Sequence, residues 1–206
     1  NIFIYWIYFV SLIVISVYIL ESLGFISTLL QADISYISSI IMIIFTYNLL
    51  GCGYYLFKLR DAFFIIESGN SEYSNNIFID ACNKYRELTC HTSDQKSVQD
   101  NFKIKLYEYV DNGFFVADVL LKLGIVGTVI GFIIMLSSLS TIDEMNLSKM
   151  NNLLLSMSGG MKVALYTTLT GLIGSVLLSI QYNYFENKIN ILINEVINKN
   201  YHEKKK

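Results

Sequence analysis

Four long stretches without a charged residue constrain this chain more than any other feature of its sequence. They cover residues 1–20, 34–57, 123–142 and 163–185. A helix needs about 20 apolar residues to cross about 30 Å of hydrocarbon, and each stretch reaches that length. The helices of a soluble all-α core would show a polar face at helical period, which these four lack. The sequence therefore predicts an all-α integral membrane protein with four transmembrane helices, in contact with the lipid bilayer.

The composition supports a membrane environment and argues against a nucleic-acid partner. Hydrophobic residues make up 53% of the 206 residues and charged residues make up 16%. In a soluble domain, about a quarter of the residues are charged. The formal net charge is −2, and the Lys and Arg residues form no basic stripe. We therefore expect no nucleic acid among the partners.

The placement of Lys and Arg orients the chain, because cytoplasmic loops collect positive charge. Residues 58–113 contain seven Lys and Arg residues, and the chain ends in three consecutive lysines. The loop at 21–33 contains none, and the link at 139–161 contains Lys149 alone. Both termini and the central loop are therefore predicted to be cytoplasmic, and the two short links to face the outside.

Hydrophobic spacing predicts three regions along the chain. Residues 1–57 form two peripheral transmembrane helices with a short outer loop. Residues 58–117 form a cytoplasmic helical region. Residues 118–206 form the other two transmembrane helices, an outer amphipathic link between them and a cytoplasmic C-terminal helix. In the link, Gly159 and Gly160 predict a helix stop.

The third and fourth charge-free stretches each place small and hydroxyl residues along one helix face. The residues are Gly124, Thr128, Gly131, Met135 and Ser138 in the third stretch, and Ala164, Thr168, Gly171, Ser175 and Ser179 in the fourth. Spacings of three and four residues place each set on one side of a helix. Gly127 and Gly131 also form a GxxxG pair, which allows membrane helices to approach closely.

Two interpretations of these faces stay open. In the first, the small residues only pack helices together, and each hydroxyl bonds the carbonyl four residues before it. In the second, the two faces line a central space that holds another helix, and Thr128 and Thr168 offer oxygen atoms to a passing cation or its water. The membrane-embedded parts of the four stretches contain no Asp, Glu or His. An ion relay would therefore need a carboxylate from a second protein.

These motifs resemble those of the MotA/TolQ/ExbB family of ion-driven motor subunits. The segment LGIVGTVIGFIIMLSS, residues 123–138, is similar to the first pore helix of the family through Gly124, Gly127, Thr128 and Gly131. The segment VALYTTLTGL, residues 163–172, is similar to the second pore helix, in which a threonine stands three residues before a glycine. Thr168 and Gly171 have that spacing here.

The resemblance implies a pore-lining subunit of a rotary motor in the bacterial inner membrane, which converts ion flow into mechanical work. Family members form a homopentamer around a dimer of a single-span partner of the MotB, TolR or ExbD type, whose intramembrane aspartate carries the ion. By the same resemblance, Thr128 and Thr168 would take the places of the two pore threonines. The transported ion would be H⁺ or Na⁺, and we expect neither a cofactor nor an enzymatic activity.

Other functions compete with this interpretation. A non-conducting scaffold would use the small faces only to pack around a partner helix. A lytic pore or a small transporter would act without a partner, and a transporter would show broken helices or charged residues at the membrane midplane. The spacing of Cys82, Cys90 and His91 matches no structural zinc pattern, and the sequence has no HExxH motif. A neighbouring gene for a single-span protein with an intramembrane aspartate would distinguish the motor subunit from the scaffold.

Overall fold

A computed structural model describes residues 2–24, 27, 36–68, 76–91, 95–137 and 147–204. These residues form helices without any strand. The helices are α1 (Ile2–Ser22), α2 (Ile37–Ser68), α3 (Ile77–His91), α4 (Gln95–Ser137) and α5 (Leu147–Lys204). The predicted all-helical fold is therefore confirmed.

Four of these helices contain segments long and apolar enough to cross a membrane. The segments are Phe3–Ser22, Ile37–Ile65, Gln95–Ser137 and Leu154–Asn200. They include most of the four charge-free stretches of the sequence, so the prediction of four candidate spans is confirmed. The first segment is the least buried, since only 6% of its apolar window lies inside the protein. This exposure fits the peripheral place predicted for the first helix.

Helix α5 continues without interruption through Gly159 and Gly160, so the predicted helix stop at these glycines is wrong. A glycine that ends a helix usually adopts a positive φ, but in the described residues Gly24 is the one glycine with a positive φ. Gly160 instead lies against α4, because an added Cβ would come within 2.8 Å of the Gly131 carbonyl oxygen. The amphipathic link is therefore part of α5 from Leu147 onward, and its earlier residues lie outside the described part of the chain.

The described residues divide into two compact units. The first unit contains residues 1–8, 49–115 and 179–206, and the second contains residues 9–48 and 116–178. Helices α1, α2, α4 and α5 each contribute a segment to both units.

The first unit has an aromatic core. The Phe78 and Phe185 side chains are fully buried, and their rings meet edge to face at a centroid distance of 6.3 Å. The Tyr109 ring lies 5.8 Å from Phe78. Such ring pairs contribute about 0.5–1.5 kcal/mol beyond their buried area. Large rings therefore set the spacing of the helices in this unit.

Asn76 fixes the start of α3 in the same unit. Its side-chain oxygen accepts a hydrogen bond from the Phe78 amide at 3.1 Å, as an N-cap residue does. Its side-chain nitrogen donates to the Lys58 carbonyl at 2.7 Å. The two bonds attach the first turn of α3 to α2. Cys82 follows on α3, where burial raises the pKa of its thiol to about 12 and the Arg86 charge partly opposes that rise.

Candidate functional site

In the second unit, α4 and α5 pack against each other through residues without bulky side chains. We call these residues the glycine seam. They are Gly124, Gly127 and Gly131 on α4, and Gly160, Ala164, Thr167 and Gly171 on α5. Gly131 faces Gly160 and Ala164, whereas Gly124 faces Thr168 and Gly171. Residues later in α4 therefore meet residues earlier in α5, and the two helices run antiparallel.

The helices approach closely enough for their backbones to touch at Gly171. A Cβ added to Gly171 would lie 2.7 Å from the Leu120 carbonyl oxygen and 2.8 Å from the Gly124 Cα. At Gly131, an added Cβ would lie 2.6 Å from the Ala164 amide nitrogen. Real Cβ atoms do not come this close to backbone atoms. Van der Waals packing of this kind drives helix association in membranes, where no hydrophobic force between helices exists.

Thr167 is the largest side chain in the seam. It is fully buried, and a methyl group at Gly127 would overlap it. The Thr167 hydroxyl lies 2.9 Å from the Val163 carbonyl and 3.1 Å from the Ala164 carbonyl of its own helix. The buried hydroxyl therefore has an acceptor without help from α4.

The hydroxyls of Thr128 and Thr168 lie beside the seam and are partly exposed. The Thr168 Oγ1 lies 3.1 Å from the Ala164 carbonyl oxygen and 3.2 Å from the Gly124 carbonyl oxygen across the helix contact. The Thr128 Oγ1 donates to the Ile125 carbonyl. A hydroxyl has one proton and two acceptor lone pairs. A threonine that donates to a backbone carbonyl therefore keeps lone pairs for a cation or a water molecule.

Helix geometry places Thr128 and Thr168 on the same side of the seam. Each follows a seam residue by one position, Gly127 on α4 and Thr167 on α5, and one residue corresponds to a rotation of about 100°. Because the helices are antiparallel, this rotation turns both side chains toward the same side. Gly127 contacts Thr167, so the two threonines lie within about one helical turn of each other in depth.

We call this side of the seam the hydroxyl flank. Ser175 follows Thr168 by seven residues, or about two helical turns, so helix geometry places it on the flank as well. Thr170 precedes Gly171, and the same geometry places it on the opposite side. Its hydroxyl lies 2.8 Å from the Tyr166 carbonyl oxygen. Thr170 thus resembles Thr168 in residue type and hydrogen bonding within α5, but not in the side that it faces.

The faces predicted from the sequence mix the seam and the flank. Gly124, Gly131, Ala164 and Gly171 are buried in the seam, whereas Thr128, Met135, Thr168 and Ser175 are partly exposed. Ser179 belongs to the first unit and lines a groove there with Phe114 and Asn183. Ser138 lies outside the described residues.

Sequence reasoning missed Thr167 and Gly160 as seam residues. The signal was present, because Gly160, Ala164, Thr167 and Gly171 have spacings of four, three and four residues. Ala164, Thr168 and Gly171 also have helical spacings, of four and three residues. The spacing therefore does not show whether Thr167 or Thr168 lies in the seam. The contact with Gly127 identifies Thr167 as the buried one.

Apart from Gly160, the seam residues lie in stretches without charge, since residues 123–142 and 163–185 contain no ionisable acid or base other than tyrosine. The Asp118 carboxylate and the Lys122 ammonium, near one end of the α4 stretch, form an ion pair with both side chains more than half exposed. Among the described residues, no group of three His, Cys, Asp or Glu side chains could hold a metal ion. The site thus offers hydroxyl and carbonyl oxygens and no carboxylate.

A comparison with known families identifies this region. Residues 116–198 match the sequence model of the MotA/TolQ/ExbB proton channel family. This segment is similar to that family. The match covers about two fifths of the chain and includes every residue of the seam and the flank. The resemblance predicted from the glycine and threonine motifs is thereby confirmed. Comparisons with curated proteins and with solved structures gave no significant match.

Proposed function

We propose that this chain is the pore-lining subunit of an ion-driven rotary motor in the bacterial inner membrane. It assembles as a homopentamer around a dimer of a single-span MotB/TolR/ExbD-like partner, and H⁺ or Na⁺ passes between them. The observation that carries this proposal is the hydroxyl flank of Thr128 and Thr168, within a segment that matches a proton channel family.

The chemistry of the flank supports passage of a cation. Moving a cation out of water is costly unless other oxygens replace its water ligands. Thr128 and Thr168 donate their protons to backbone carbonyls, so each keeps lone pairs for that purpose. Because the stretches at 123–142 and 163–185 have no carboxylate of their own, the ionisable group must come from the partner.

The glycine seam has a mechanical role in this proposal. A cation would pass only if the two threonine hydroxyls stayed at a fixed depth relative to the partner carboxylate. Backbone contact between α4 and α5 resists sliding of one helix along the other. The seam therefore holds the flank in register, while the flank makes the ion contacts.

The experiment uses three valine variants of the chain, co-expressed with a single-span partner that contains an intramembrane aspartate. The purified complexes are reconstituted into liposomes, and H⁺ and Na⁺ uptake is measured under an imposed membrane potential. Valine keeps the shape of threonine and removes the oxygen. Thr128→Val and Thr168→Val should each lower the flux about tenfold, the cost of one lost oxygen contact of about 1.4 kcal/mol.

Thr170→Val is the matched control, because it removes a hydroxyl of the same helix on the opposite side of the seam. Its flux should equal that of the unmodified chain. Full flux in the Thr128→Val, Thr168→Val double variant, with the complex intact, would contradict an ion-contact role for the two threonines. An absence of flux in the unmodified complex would contradict the motor subunit and favour the non-conducting scaffold. Equal loss in all three single variants would indicate a general packing defect instead of an ion contact.

A further inference from the structure

A groove of about 260 Å³ lies between α3 and α4 in the first unit. Its floor consists of the buried side chains of Ala81 and Tyr85 on α3, and of Val98 and Phe102 on α4. The Tyr85 and Phe102 rings stack at a centroid distance of 4.7 Å. The floor of the groove is therefore apolar and aromatic.

Four exposed residues form the walls of the same groove. They are Lys84 and Leu88 on α3, and Asn101 and Lys105 on α4. In each helix, the wall and floor residues follow each other at spacings of three, one and three residues, which places them on one helix face. Each wall thus contributes one lysine to the border of a single apolar floor.

The two helices form a hairpin, so the two ends of the groove differ. Tyr85 lies six residues before the end of α3, and Phe102 lies seven residues after the start of α4. The stacked rings are therefore almost equally far from the short link between the helices, as in an antiparallel helical hairpin. Leu88 then lies at the end next to the link, Lys105 lies at the other end, and Lys84 lies between them. The groove is apolar at one end and positively charged over the rest of its length.

No acidic side chain neutralises these two lysines in the described part of the chain. There, no carboxylate lies within 4.0 Å of Lys84 or Lys105. The groove is not lined by any of the acidic residues of the two helices, which are Asp80, Glu87, Asp100, Glu108, Asp111 and Asp118. An anionic occupant would therefore meet two ammonium groups, and Asn101 would add a carboxamide donor.

The size and the donors of the groove indicate the class of its occupant. Ligand pockets begin at about 300 Å³, so a groove of about 260 Å³ suits a small molecule. A phosphate monoester has a charge of about −1.5 to −2 at neutral pH and three acceptor oxygens, whereas a carboxylate has a single charge. The two lysines and Asn101 match the phosphate, and the floor matches an apolar or aromatic body.

The position of the groove favours a soluble ligand over a lipid headgroup. Lys105 precedes the charge-free stretch at 123–142 by 18 residues. A helix of that length spans about 27 Å. The headgroup layer extends only about 5–8 Å beyond the hydrocarbon on each side of a bilayer. A lipid phosphate therefore fits the groove less well than the phosphate of a soluble molecule.

We propose that this groove binds a soluble phosphate monoester, with its phosphate at Lys84 and Lys105 and its apolar body beside Leu88. The choice of ligand rests on the two lysines, which line the groove on opposite walls without a carboxylate partner in the described part of the chain. The proposal adds a ligand site to the predicted cytoplasmic region and does not depend on ion conduction.

The experiment measures binding to the purified full chain in detergent by isothermal titration calorimetry. Three probes are compared, which are phenyl phosphate, inorganic phosphate and benzoate. Phenyl phosphate should bind most tightly, because inorganic phosphate lacks the apolar body and benzoate lacks the second charge. Each of the other two probes should bind at least about threefold more weakly. Equal affinity for two of the probes, or no binding of phenyl phosphate at millimolar concentration, would overturn the proposal.

Lysine variants separate the groove from general charge attraction. Lys84→Gln and Lys105→Gln should each weaken the binding of phenyl phosphate about threefold to fivefold, which is the contribution of one exposed charge pair. Lys103→Gln is the matched control, because it removes the same charge from α4 at a position that does not line the groove. Its affinity should equal that of the unmodified chain. A loss in Lys103→Gln as large as that in Lys105→Gln would contradict a site in the groove.

A further variant tests the apolar end of the groove. Leu88→Ser removes the apolar wall and keeps both lysines. It should weaken the binding of phenyl phosphate about threefold and leave the binding of inorganic phosphate unchanged. Light scattering of the same samples tests a competing occupant, a second copy of the chain. A fall in the number of chains per complex in the Lys84→Gln, Lys105→Gln variant, with its affinity for phenyl phosphate unaltered, would assign the groove to a contact between copies and overturn the proposal.

Discussion

The glycine seam and the hydroxyl flank lie side by side on α4 and α5 and differ in what they tolerate. In the seam, Gly171 and Gly131 leave no room even for a methyl group. On the flank, Thr128 and Thr168 are partly exposed, and the hydroxyl of each donates to a backbone carbonyl of its own helix. Shape therefore limits substitution in the seam, whereas chemistry limits it on the flank. Variants of the two regions should separate stability from ion conduction.

The largest loss of stability should follow Gly171→Leu. The Cβ atom alone would come within 2.7 Å of the Leu120 carbonyl, and a leucine adds three more carbons, so the helices must separate. We expect a loss of about 3 kcal/mol or more, measured as a fall in the melting temperature of the detergent-solubilised chain by size-exclusion chromatography. Gly159→Leu is the control, because the position of its Cβ has no neighbour within 4 Å. Equal melting of the two variants would mean that the backbones do not touch at Gly171.

A smaller loss should follow Gly127→Ala, because the added methyl overlaps Thr167. We expect about 1–3 kcal/mol, the usual cost of overpacking, by the same melting measurement. In the Gly127→Ala, Thr167→Gly double variant, the glycine of the contact stands on α5 and the side chain stands on α4. It should recover part of the loss, which gives a positive coupling between the two sites. Strictly additive effects would contradict the contact between them.

The smallest effect on stability should come from the flank. Thr168→Val removes hydroxyl contacts at 3.1–3.2 Å from a partly exposed residue and keeps its volume. The melting temperature should change by an amount that corresponds to no more than about 1 kcal/mol. Thr168→Val should therefore melt close to the unmodified chain, even though we expect it to conduct poorly. A loss as large as that of Gly127→Ala would place Thr168 in the seam.

The sequence predicts the span pattern of this fold well, because an apolar run of about 20 residues without charge is typical of a membrane-spanning helix and rare elsewhere. It predicts the helix contacts less well. Gly159 and Gly160 have the composition of a helix end, yet the packing of Gly160 against Gly131 keeps α5 continuous. Tertiary contact thus overrides the local preference of glycine for a helix end.

The choice between Thr167 and Thr168 shows a second limit. Both lie three or four residues from Ala164 and Gly171, so helical periodicity is satisfied by either threonine. Only the position of the partner helix distinguishes them, through the overlap of Gly127 with Thr167. The sequence therefore predicts Thr128 and Thr168 as candidate ion contacts, but it does not predict that they lie beside the seam.

The antiparallel pairing of α4 and α5 also has a consequence for biosynthesis. The two helices follow each other along the chain, and residues 138–146 alone separate them, so the entropy lost on bringing them together is small. Transmembrane helices insert first and associate afterwards. The hairpin of α4 and α5 can therefore close as soon as the ribosome has delivered α5, without waiting for a rearrangement of α1 and α2. Natural variation in the first two helices should consequently be better tolerated during membrane insertion than variation in this hairpin.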